Sequence, residues 1–241
     1  MKATGLKITG CVVAVVLAVC ITPMISAEKT STQTSQAQDE LRKALAKSYQ
    51  SEKSGAYEDA IKDLAKVLKA NTQNYVLNLR IGWLYYMRGE YDNSKMYYQN
   101  AIRISPDSVE ARTGCMLPLI ALERYSDADA LAKQVLSDDP GNYYANIRYS
   151  YSLRFQQKFE QALKIATKMH QMYPSDSTVL KELAMAKWGM NDIDGAKAAF
   201  NEVLNISQDD EFAKAMLKSL EDAKNPGKGG KEKSSSGLLH I

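Results

Sequence analysis

Reactive side chains are scarce in this chain. It has two histidines and three cysteines in 241 residues. Cys11 and Cys20 fall in the apolar start of the chain, so Cys115 is alone in the remainder, and a lone thiol closes no internal disulfide. His170 falls in a helical stretch and His240 next to the end of the sequence, and neither has an acid partner or a nucleophile at a fitting spacing. No group of side chains has metal-ligand spacing. Gly227-Lys228-Gly229-Gly230 has no strand before it, as a phosphate-binding loop would need. The expectation is therefore no catalytic residues, no metal, no cofactor and no enzymatic activity.

An excess of charge of one sign is also lacking. There are 31 basic side chains against 28 acids, and the basic total includes Lys2 and Lys7 of the first segment. The remainder is close to neutral. Phosphate backbones are bound by clustered positive charge, so nucleic acid is not expected as a partner.

Long apolar runs are missing except for one. From Ile8 to Ile25 no side chain is charged; Lys2 and Lys7 precede the run, and Ile25-Ser26-Ala27 ends in a small residue after Pro23. Residues 1–27 read as a signal peptide cleaved after Ala27. An uncleaved signal anchor is the alternative, because the run just reaches the roughly 18 residues of a marginal membrane span. Positive charge stays on the cytoplasmic side, so both readings put the rest outside the cytoplasm: periplasmic, secreted, or membrane-anchored with its folded part outside. A lipidated Cys20 fits poorly, since Val19 is too large for the preceding position.

What the chain does have is a period. Pro106, Pro140 and Pro174 recur every 34 residues, as do Ala60, Ser94, Ala128, Ala162 and Ala196. Tyr57, Tyr91, Tyr125, Phe159 and Ile193 keep the same step, and so do Asn74, Ser108, Asn142, Asp176 and Asp210. The Asn/Ser/Asp series supplies oxygens that cap helix N-termini. Each proline comes two residues earlier, where a preceding helix has ended. The small series lets two helices approach closely, and the aromatic series fills the wedge beside it. Apolar residues between the caps recur at helical spacing in two runs per period, joined by turns such as Gly89-Glu90-Tyr91. Each period is a helix–turn–helix.

This pattern resembles the tetratricopeptide repeat (TPR). The second period matches best, through Gly82, Tyr85, Gly89, Tyr91, Ser94, Tyr98, Ala101 and Pro106. The implied fold is all-α: a right-handed α-solenoid of five TPR hairpins plus a C-terminal capping helix. The expected layout is residues 1–27 as signal segment, 28–40 as polar linker, and hairpins at 41–74, 75–108, 109–142, 143–176 and 177–210. A capping helix follows at 211–224 and a disordered tail at 225–241. Pro118, inside the first helix of the third hairpin and four residues after Gly114, is expected to bend that helix.

The resemblance also implies a concave groove lined by first helices. Positions four and then three apart share one helix face, and the face so defined holds Tyr49 in the first hairpin and Leu79, Trp83 and Tyr86 in the second. It continues through Leu117 and Ile120, then Tyr151 and Arg154, then Lys181, Met185 and Trp188. Thr113 falls on the same face, while Ile81, Cys115, Tyr149 and Leu183 fall on an adjoining stripe that should pack against second helices. The groove reads as aromatic and apolar with few charges, which suits a protein or peptide with an apolar or aromatic segment. The expected function is a non-enzymatic interaction scaffold. A holdase-like chaperone and a membrane-anchored assembly subunit are the alternatives. Membrane contact is expected only if the first segment stays uncleaved.

Overall fold

In a computed structural model, residues 35–224 are described, and their regular structure is helical throughout. The expected signal segment, the first part of the expected linker and the expected tail lie outside the described residues.

The first helices after the opening one each start on a side-chain cap. Asn74, Ser108, Asn142, Asp176 and Asp210 accept hydrogen bonds from the amides of Leu77, Ala111, Ala145, Val179 and Ala213, each at 2.9–3.0 Å. The caps fix the starts of α3 (Tyr75–Met87), α5 (Val109–Ala121), α7 (Tyr143–Phe155), α9 (Ser177–Gly189) and α11 (Glu211–Lys224). The second helices are α2 (Tyr57–Ala70), α4 (Tyr91–Ile104), α6 (Tyr125–Asp138), α8 (Phe159–Met172) and α10 (Ile193–Ile206). Of these, only α10 has a side-chain cap, from Asp192 to the Gly195 amide. The helix of residues 35–53, α1, is the first helix of the first hairpin. Helix thus reaches back into the stretch assigned to the linker. Gln36, Ala37, Gln38 and Glu40 are helix-compatible residues, and no proline or glycine stops the helix there.

A further series with the same step closes each hairpin. Gly55, Gly89, Glu123, Gln157 and Asn191 all have φ between 58° and 79°. The amide after each reaches back five residues to a carbonyl of the first helix: Ala56 to Ser51, Glu90 to Tyr85, Arg124 to Leu119, Lys158 to Leu153 and Asp192 to Lys187. This left-handed cap reverses the chain in two residues and sends it straight into the second helix.

The small series is where helices meet. Ala60, Ser94, Ala128, Ala162 and Ala196 are all buried, and Ser94 Oγ donates to the Gly82 carbonyl at 2.7 Å. The aromatic series beside it is half-buried. Core clusters form within and between successive hairpins. Leu64, Leu68, Leu77, Ile81 and Leu84 join the first to the second, and Leu180, Phe200 and Val203 pack with Ala213, Met216 and Leu220 of α11. Ile81, Cys115 and Leu183 are buried on the expected packing stripe, and Tyr149 packs against two of the clusters. α5 continues through Pro118 to Ala121.

Besides their hairpin partners, successive first helices touch one another: α3 with α5, α5 with α7, α7 with α9. No comparable contact joins successive second helices among the described residues. The first helices therefore occupy the inner side of the curve.

Candidate protein-interaction site

The inner face is built from two adjacent rows on each first helix, one more than the spacing predicts. Successive helical residues lie 100° apart, so the position beside each expected residue also looks inward. That second row is Arg80, Gly114, Arg148 and Glu182, again at a 34-residue step. Its chemistry changes from repeat to repeat while its spacing does not, so residue type alone does not mark it.

The two rows together bring more charge onto a face expected to carry little of it. Arg80 pairs with Glu52 and stacks over the Tyr49 ring, its guanidinium carbon 3.8 Å from the ring centroid. Trp83 Nε1 donates to the other oxygen of Glu52 at 2.6 Å. Arg154 makes a two-pronged pair with Glu182, Nε to Oε2 and Nη2 to Oε1 both at 3.0 Å, with the two side chains only 9% and 7% exposed. Lys181 donates to Asp210 at 3.0 Å. Burial acts to raise the Asp210 carboxyl pKa, but the Ala213 amide and Lys181 outweigh it and hold the group below its ordinary value. These pairs tie α1 to α3, α7 to α9 and α9 to the cap of α11, so Arg154 and Lys181 are inter-repeat links first.

Between the ion pairs are the rings. Trp83 and Tyr86 have centroids 5.9 Å apart, and Tyr86 lies 5.7 Å from Tyr91. Tyr151 packs on Phe155 at 4.7 Å, which itself stacks on Tyr125, and Arg154 lies over the Tyr151 ring at 5.0 Å. Burial pushes the Tyr151 phenol up to about 12, so it stays a neutral donor.

Tyr49 is exposed, whereas Leu79, Trp83, Tyr86, Leu117, Ile120, Tyr151, Met185 and Trp188 are half-buried. Leu79, Trp83 and Ile120 lean on the core around Tyr98 and Cys115; Met185 and Trp188 lean on the Leu180–Phe200 core. Thr113 is buried, its hydroxyl bonded to the Val109 carbonyl of its own helix. The most open apolar and aromatic side chains here are Tyr49, Val76 and Tyr144, at 53%, 46% and 59% exposure. Val76 and Tyr144 stand one turn before the second row, a signal the sequence carried in the same period.

Little on this face is suited to bond-making. Cys115 is buried in the hairpin core, and burial pushes its thiol up to about 12, far from a reactive thiolate. Among the described residues, no group of histidine, cysteine or acidic side chains could hold a metal ion. Nor is any described helix long and apolar enough to cross a membrane.

Comparison with known proteins agrees with the geometry. Family models of the tetratricopeptide repeat match residues 75–108 and 153–220. The chain is a tetratricopeptide-repeat protein. Its TPR stack is similar to a thermophilic TPR protein of Thermus thermophilus, with a TM-score of 0.62 and 15% identity, over 76% of this chain and 98% of that one. A TPR protein of Parabacteroides merdae gives a TM-score of 0.63 and 16% identity over 76% of this chain and 72% of the other. MamA of Desulfovibrio magneticus gives 0.62 and 14%, over 72% and 98%. At these identities the likeness speaks to the fold, a right-handed α-solenoid of TPR hairpins. Among curated sequences, human protein O-mannosyl-transferase TMTC1 is 28% identical over 109 residues, 44% of this chain. The match spans only 12% of that protein's length. A TPR stack of this kind supports protein–protein interaction in general.

Proposed function

We propose that this TPR stack is a non-enzymatic scaffold that works outside the cytoplasm and holds a peptide or partner helix along its inner face. The observation that carries the reading is the run of open and half-open rings on the first helices: Tyr49, Trp83, Tyr86, Tyr144 and Tyr151 on α1, α3 and α7. Rings left at the surface give up hydrophobic stabilisation unless something covers them, and Tyr and Trp supply large contact area with few rotors to immobilise. The ion pairs beside them hold the first helices at fixed spacing, so the face is organised before a partner arrives, which lowers the ordering cost of binding. Export rests on the apolar run Ile8–Ile25 behind Lys2 and Lys7.

The test is cross-linking in the native cell followed by affinity capture of the full chain and identification of its neighbours. The expected result is a defined extracytoplasmic neighbour, captured much less by a Trp83→Ala, Tyr151→Ala variant that keeps its helical circular dichroism. Capture of cytoplasmic neighbours, or capture unchanged in that variant, would overturn the proposal. Equal capture of many unrelated unfolded proteins would favour a holdase instead.

A further inference from the structure

Three arginines on the inner face differ in what neutralises them. Arg80 has Glu52 and Arg154 has Glu182. Arg148, on α7, has no carboxylate at ion-pair distance among the described residues. Its Nη1 donates to the Thr113 carbonyl at 2.5 Å, and its guanidinium carbon is 5.1 Å from the Tyr144 ring centroid. The groups that feel its charge are tyrosines: Tyr98, Tyr86 and Tyr144. Burial pushes the guanidinium below its ordinary value, the mark of a cation drawn out of water without an anion beside it.

Tyrosine rings from three helices surround this guanidinium. Tyr98 belongs to α4, yet its ring passes between Gly82 and Gly114, where a side chain on α5 would block it. Tyr86 comes across from α3, and Tyr144 stands exposed one turn before Arg148. The carboxylate of Glu110 on α5 lies 3.4 Å from the Tyr75 hydroxyl and its charge reaches Tyr98, but it makes no ion pair with Arg148 among the described residues. Only Nη1 of Arg148 is hydrogen-bonded among the described residues, which leaves the Nε and Nη2 edge as a planar two-donor fork that matches a carboxylate.

We propose that Arg148 anchors a side-chain carboxylate, an Asp or Glu inside an extended segment of the partner, seated among Tyr86, Tyr98 and Tyr144. Charge complementarity selects the occupant. The inner face continues past Arg148 toward Arg80 on one side and Lys181 on the other, so a residue within the bound segment fits here better than a chain end. This rests on the reading of the inner face as a peptide-binding surface and adds the chemistry of its centre. Apolar residues beside the acid would lie toward Trp83 and Tyr151.

The probes are synthetic peptides of alternating leucine and tyrosine with Ser-Gly ends, blocked at both termini. One central position carries Glu, Asp, Gln, Lys or phosphoserine. Each is titrated against the full chain and against Arg148→Gln and Arg148→Lys. On the unmodified chain the Glu or Asp peptide should bind about tenfold tighter than the Gln peptide. That advantage should vanish in Arg148→Gln while the Gln peptide binds as before, and Arg148→Lys should restore part of it. The Glu-to-Gln comparison on the unmodified chain needs no variant to fold. Binding without acid preference, preference for phosphoserine, or a preference that survives Arg148→Gln would overturn the assignment of Arg148 and leave the interaction face standing. Failure of every peptide to bind would overturn both.

Discussion

Tyr98 illustrates how single residues set the spacing of this stack. Its ring is 5% exposed and lies against two glycines on different helices. A Cβ at Gly82 would meet the ring at 3.1 Å, tight but within reach of a small adjustment; one at Gly114 would meet Cε1 at 2.4 Å, which no real contact tolerates. The two positions look alike in sequence, and only Gly82 stands in the repeat's phase for glycine. Gly114 belongs to the second inward row, where the other repeats carry Arg80, Arg148 and Glu182. Gly114→Ala should therefore force α4 and α5 apart and destabilise the protein by about 1–3 kcal/mol, the usual cost of overpacking. Gly82→Ala should cost less. Urea denaturation of the two variants reads the difference; equal midpoints would show that the Tyr98 ring moves aside freely.

At the scale of the element, the 34-residue step makes the starts of α3, α5, α7, α9 and α11 legible in the sequence. The capping series Asn74 to Asp210 marked first-helix starts correctly, because a cap is a local interaction between one side chain and an amide three residues on. The early start of α1 was not legible, since residues 35–40 are exposed and leave no apolar trace to read. The inner face was half legible for a related reason. Spacing locates a stripe, but which stripe meets a neighbouring helix depends on how hairpins stack, and that is a tertiary property. Gly55 and Gly89 supply positive φ at no steric cost, whereas Glu123, Gln157 and Asn191 hold φ of 58°, 59° and 61° with a Cβ present. For a residue such as Glu this conformation costs roughly 1 kcal/mol relative to glycine. Glu123→Gly and Gln157→Gly should each raise stability by up to about 1 kcal/mol, and Asn191→Gly by less, since asparagine tolerates the left-handed region. Thermal unfolding followed by circular dichroism checks this. A fall in midpoint for Glu123→Gly would mean that its side chain contributes more than its backbone strain costs.

For the whole molecule, an α-solenoid has two ends, and each must be closed by something other than another repeat. At the C-terminal end that role falls to α11, which starts one full step after α9, on the same kind of cap, where the first helix of a sixth hairpin would stand. Ala213, Met216 and Leu220 are buried against Phe200 and Val203, while Lys214, Lys218, Ser219, Glu221 and Asp222 face outward. A chain ended at residue 210 would uncover Phe200, Val203 and Leu180 together. At about 1.5–3 kcal/mol for each large side chain returned to water, the loss is comparable with the entire stability of a typical domain. Contacts in a repeat stack run between neighbours, so the damage should be graded along the chain. Amide hydrogen exchange should rise most in α10 and α9, less in α8 and α7, and least in α2 and α3, and the truncated chain should self-associate through its uncovered end. Leu220→Asp should reproduce the same gradient more weakly, because it places one charge into that interface while α11 remains attached. Uniform loss of protection across all the helices would instead mean that the stack melts as one unit, with the coupling between hairpins stronger than the contacts inside each.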